Sequence, residues 1–189
     1  MRELLEHLSA GCSQDIPQHD GRWLSFGKSM ISKTTLTELH DAMHECLDLV
    51  LDHASGLPPG LIATEIPGFG HPTVLNQIAH VLATERGWIC GLQLQPCVLP
   101  DASGLTSING LRKFRMETLD ATVAYIHSLD DMELNTELDR YPDGWIGPRR
   151  APAYILFHIV THAFHHKGQI VAMFRLLGHP APDTDMQRA

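Results

Sequence analysis

The 189-residue chain is 43% hydrophobic and 19% charged, the balance of one globular domain that can bury a core without disulfides or a structural metal; no apolar run approaches the ~20 residues that cross a bilayer. Its 22 acidic residues against 14 basic ones give a formal charge of −8, and basic residues cluster only at Arg112-Lys113-x-Arg115 and Arg149-Arg150, so no nucleic-acid partner is expected. The opening stretch Met1 to Leu8 interrupts its apolar residues with Arg2, Glu3, Glu6 and His7, which argues against a secretory leader and points to a cytoplasmic protein.

Residues 1–32 read as an extension, a short amphipathic start followed by a loop rich in Gly, Ser, Gln and Pro, and residues 33–189 as the folded domain. From Thr34, the positions Leu36, Leu39, Met43, Cys46, Leu47, Val50 and Leu51 recur at intervals of three and four, predicting an amphipathic helix over 34–54 capped by Thr34 or Thr35. Gly56-Leu-Pro-Pro-Gly60 ends it. A second helix is expected from His71-Pro72-Thr73 to Leu92, with the proline in its first turn. Thr106-Ser107 caps a third, ending near Ser128, and an acidic loop follows. The fourth starts at Ala151-Pro152 and runs to Leu177, where Gly178 and Pro180 stop it. No strand alternation persists, so the expected fold is all-α, a four-helix bundle whose long first connection permits a crossover. Cys12, Cys46, Cys90 and Cys97 form no CxxC pair, as expected of reduced, structural thiols.

The fourth helix holds His158, His162, His165 and His166, four of the chain's 13 histidines. Residues four apart share a helix face, so His158/His162 and His162/His166 are candidate metal-binding pairs. His165 falls about 60° short of a full turn from His162 and about 100° from His166, while His158 and His166 are about 12 Å apart along the axis. One metal ion with bonds of about 2 Å can therefore use only one pair, and a third ligand must come from another helix. His80, on an apolar face of the second helix, can supply it, although a hydrogen-bonded core histidine is an equally ordinary reading of that position. His40 and His44 on the first helix share the same spacing, with Cys46 nearby, but their neighbours Glu38, Asp41 and Glu45 suggest a solvated segment. His71 reads as a residue of the site's mouth.

The run His162-Ala-Phe-His-His166-Lys167-Gly168-Gln169-Ile170, ending in Arg175-Leu-Leu-Gly178, together with Ile78-Ala-His80-x4-Glu85-x2-Trp88, resembles the DinB/YfiT-like metalloenzyme superfamily over roughly residues 34–185. That family's motif is HxxxH followed by Arg/Lys-Gly-Gln, with a histidine of the second helix completing a three-histidine site. The resemblance implies His80, His162 and His166 as the metal ligands, with His158 and His165 at positions where histidine is common but not required. Lys167 stands where arginine is more usual, which keeps the charge but loses the planar fork.

Three neutral imidazoles leave coordination positions open, as at a catalytic site. Zn²⁺ and Ni²⁺ both suit such ligands, and either could activate a bound water or hold a thiolate. No HExxH is present, so a metalloprotease arrangement is not expected. Members of the superfamily resemble transferases and isomerases that use low-molecular-weight thiols such as bacillithiol or mycothiol, and related domains occur in sulfoxide synthases. The implied function is a metal-dependent thiol transferase or a hydrolase-like enzyme acting on a small molecule. The alternative is a non-catalytic, metal-binding stress-response bundle; either is compatible with a homodimer. Gln169 is a candidate for orienting a ligand or substrate, or equally for a plain inter-helix hydrogen bond, and Glu85, about 140° around the helix from His80, reads as a surface or inter-helix salt-bridge residue. Trp88 and Trp145 are expected to pack, with a place at the mouth as the alternative for Trp145, and residues 56–72 and 93–105 are expected to shape the entrance.

Overall fold

The computed structural model describes residues 30–58, 60–141 and 150–186, and every element among them is helical. Four long helices carry the fold: α1 (Lys33–Ser55), α2 (Val74–Leu92), α3 (Ile108–Ser128) and α4 (Pro152–Leu176). Single turns at Leu61–Ala63 and Ala102–Leu105 and a five-residue helix, Asp131–Asn135, occupy the connections. Residues 1–29 and Trp145 lie outside the described residues.

Side-chain pairs fix the helix directions. Arg112, at the start of α3, meets Asp52 near the end of α1 at 2.6 Å, while Lys33 at the start of α1 reaches the Leu129 carbonyl just past α3, so these helices are antiparallel. The His53 ring packs 4.7 Å from Phe174, bringing the C-terminal ends of α1 and α4 together. Gln77 meets Gln169 and Trp88 meets His158, so α2 and α4 are antiparallel. The order is therefore up, down, down, up. Each of α1 and α2 packs on both α3 and α4, leaving α1 and α2 opposed across the diagonal of the bundle. The first connection thus crosses the bundle end, and residues 93–107 return along its length, because α2 and α3 run the same way.

Local chemistry sets the helix ends. Ser32, rather than Thr34 or Thr35, caps α1: its hydroxyl accepts from the Thr35 amide at 3.1 Å. Thr73 caps α2 by accepting from Asn76 N, so Pro72 lies before the cap and not in the first turn. Its carbonyl instead accepts from Ile66 N at 2.7 Å, holding the loop against the helix entry. The expected acidic loop after Ser128 contains the extra helix Asp131–Asn135, specified by a reciprocal capping box between Asp130 and Glu133. Gly178 has φ 80° and closes α4 with bonds from Gly178 N to Arg175 O and from His179 N to Phe174 O, a geometry that an L side chain adopts only with strain.

The α1 reading needs one correction. Leu36, Met43, Leu47, Val50 and Leu51 are buried as the spacing requires, but so are His40 and His44, at 2% and 1% exposure. Residues 36, 40, 44 and 47 share one face by helical spacing, whereas Glu38, Asp41 and Glu45 point to solvent. Sequence neighbours do not report a helical residue's environment; residues three and four away do. For Glu85 the surface reading is corrected likewise, while the inter-helix pairing stands, with His40 and His44 as its partners. Glu85 is 2% exposed and lies inside the bundle.

Candidate metal centre

α2 and α4 bring His80, His162 and His166 together, each offering a nitrogen within 4.8 Å of the others. His80 Nε2 and His162 Nε2 face each other at 3.3 Å. At metal–nitrogen bonds of about 2.0–2.1 Å, the edge of a ligand tetrahedron is about 3.3–3.4 Å, so this spacing fits two imidazoles sharing an ion as well as an N–H···N hydrogen bond between them. His80 and His166 are buried and His162 is half-buried, giving the cluster one open side. His80 Nδ1 is buried without a hydrogen-bond partner.

His166 is oriented through its other nitrogen. Its Nδ1–H donates to Gln77 Oε1 at 2.7 Å, which leaves the Nε2 lone pair directed away from Gln77. Gln77 is itself fixed: it is fully buried, and its Nε2 donates to the His71 carbonyl at 3.0 Å and to Gln169 Oε1 at 2.9 Å. Gln169 Nε2 in turn lies 2.8 Å from His165 Nε2. Gln169 thus reaches the cluster through Gln77 and touches His165, not His166. Gln77 was the residue to look for: it sits three positions before His80, a polar side chain on a face otherwise filled by Val74, Ile78 and Val81.

His71 stacks on His80 with ring centroids 3.9 Å apart, placing the loop before α2 directly over the cluster. His158 lies 5.8 Å from His162 and packs edge-on against Trp88 at 5.6 Å, outside the converging trio. His165 is exposed beside His166. Lys167 turns to the C-terminal tail, donating to the buried Thr184 carbonyl at 2.9 Å, which Cys46 Sγ also approaches at 3.1 Å. Within the connection expected to shape the entrance, Val98 to Asp101 line a cleft with Arg86, Lys113, Phe114 and Glu117.

Burial, followed by the charge of neighbouring histidines, lowers the pKa of His80 and His162 from 6.5 to about 3 and of His166 to about 4. All three imidazoles are therefore neutral at pH 7, the form that binds metal. Their effect on stability has a definite sign. In the unfolded chain they take up protons near pH 6.5, in the folded chain only near pH 3–4, so the unfolded state binds more protons between those limits. Metal-free protein is accordingly expected to hold its full stability above pH 6.5 and lose it progressively towards pH 4. Melting temperatures recorded across that range check this; a flat profile would contradict it.

Among the described residues Cys46, Cys90 and Cys97 form no disulfide. Cys97 is exposed by its accessible surface, yet the loss of solvent around its thiol and then Cys90 push its pKa up to about 12, so it stays protonated at neutral pH. No described helix is long and apolar enough to cross a membrane. The family model that matches the sequence is that of the DinB family, over residues 30–189. No curated protein matches the chain.

Proposed function

The chain belongs to the DinB family, and from that premise we propose that it is a metal-dependent enzyme in which His80, His162 and His166 hold a divalent ion, Zn²⁺ or Ni²⁺. The observation that carries the reading is the 3.3 Å approach of His80 Nε2 to His162 Nε2. Two neutral imidazoles meeting at that distance either form an N–H···N bond or share an ion, and a third imidazole nitrogen, that of His166, within 4.8 Å of both favours the ion. A bound ion would supply a Lewis-acid position able to lower the pKa of a water or hold a thiolate deprotonated.

The chain's own residues do the rest. Gln77 holds the tautomer and orientation of His166, Gln169 holds Gln77, and His71 covers His80 at the mouth. The reaction is transfer of an external low-molecular-weight thiol to a small electrophile, or a related hydrolysis. An external thiol fits because the described cysteines are buried or, for Cys97, held protonated. The location is cytoplasmic, where such thiols are reduced, and a homodimer is compatible with this reading.

Turnover of electrophiles in the presence of bacillithiol or mycothiol tests the proposal. Activity should vanish on chelation and return with Zn²⁺ or Ni²⁺. A rate indifferent to chelation would overturn it. Chelation that lowers the melting temperature while no thiol or hydrolytic substrate turns over would favour the non-catalytic, metal-binding bundle.

A further inference from the structure

A second group of ligand-type side chains lies apart from this cluster. His40 and His44 of α1 and Glu85 of α2 meet across the bundle diagonal, their ligand atoms within 4.8 Å of one another. His40 Nε2 is 2.7 Å and His44 Nε2 3.2 Å from Glu85 Oε1, and Thr122 of α3 donates its hydroxyl to the same oxygen at 2.7 Å. Glu85 Oε2 lies 3.2 Å from His44 Nε2, but at an angle that makes no hydrogen bond, and is left without a partner. One carboxylate oxygen is crowded by three donors and the other has none.

We propose that His40, His44 and Glu85 form a second divalent-cation site, separate from the three-histidine centre and enclosed in the bundle core. Two imidazoles one turn apart and a single carboxylate are a ligand set suited to Zn²⁺, Fe²⁺ or Co²⁺. A network of protons alone leaves Glu85 Oε2 without a partner. With both histidines neutral, the buried carboxylate has no cation in this cluster, since Arg115 is engaged by the His44 carbonyl and Asp48. With either histidine protonated, a buried Nδ1–H has no acceptor, because neither Nδ1 has a partner. A divalent ion supplies the missing charge and takes both Nε2 lone pairs. The Nδ1 protons then remain unpaired, a cost that the attraction between ion and carboxylate must offset.

Enclosure gives the site a kinetic signature. His40, His44 and Glu85 are no more than 2% exposed, so metal enters and leaves only when the bundle opens, whereas half-buried His162 keeps the other centre accessible.

The test refolds wild-type, His162→Ala and His162→Ala/Glu85→Gln chains with Zn²⁺, removes loose metal on a sizing column, and follows the remainder under chelator, with circular dichroism reporting the fold. His162→Ala should retain about one equivalent, released at least tenfold more slowly than the extra metal of wild type, and the double variant should lose it. A folded His162→Ala chain without metal overturns the proposal, as does undiminished retention in the double variant. Should the double variant not fold, X-ray absorption on zinc-loaded His162→Ala decides. Two imidazoles with oxygen support the site; three imidazoles or none overturn it. Failure of the three-histidine centre reads differently: wild type would then hold only the slow equivalent.

Discussion

His166→Ala is expected to weaken divalent-metal binding at the three-histidine centre by at least ~100-fold, because the loss of one of three ligands is larger than the roughly 10–100-fold effect of disturbing the group that orients a ligand. Gln77→Leu should fall within that smaller range. It leaves all three imidazoles in place but removes the acceptor of His166 Nδ1 and two donated bonds, to the His71 carbonyl and Gln169. Competition with a chromophoric chelator separates the two variants. A Gln77→Leu affinity equal to wild type would mean that packing alone orients His166. An equal loss in both would mean that Gln77 holds the helix pair together, which the melting temperature would reveal.

Glu85→Ala is expected to destabilise the metal-free protein by about 3 kcal/mol or more, the range for removing one partner of a buried charged pair, with a cavity adding to the loss. Three groups lose their common acceptor: His40 Nε2, His44 Nε2 and the Thr122 hydroxyl. Burial acts to raise the Glu85 carboxyl pKa, but the charge of His44 and the hydrogen bonds of His40 and His44 reverse this and hold it well below the usual carboxylate range. The native group is therefore an ionised carboxylate, tied to α1 and α3 at once. Glu85→Gln should cost less, since its amide oxygen can still accept from Thr122. Urea denaturation of both variants checks the order; a loss under 1 kcal/mol for Glu85→Ala would show that the diagonal tie adds little.

The four long helices were legible because their apolar residues recur at three and four and their ends carry Ser, Thr, Gly and Pro where backbone groups need them. Observed limits depart little from expectation: 33–55 against 34–54 for α1, and 152–176 against 151–177 for α4. The helix Asp131–Asn135 was hidden by its length, although Asp130-x-x-Glu133 announces its start. The three-histidine convergence was suggested by HxxxH spacing and a motif, and spacing alone left two pairs open. Only the pairing of α2 with α4 sets His80 opposite His162 and His166 and leaves His158 against Trp88. The cluster at Glu85 was not foreseen because two of its members were judged by adjacent acids, and because nothing in either helix alone shows that α1 and α2 meet across a diagonal.

The most direct measurement is the metal content of untagged protein purified without added metal, wild type beside His80→Ala and His166→Ala. Each variant should contain about one equivalent less Zn²⁺ or Ni²⁺ than wild type, whatever else the chain holds. Equal metal in all three folded proteins would contradict a centre built from His80, His162 and His166.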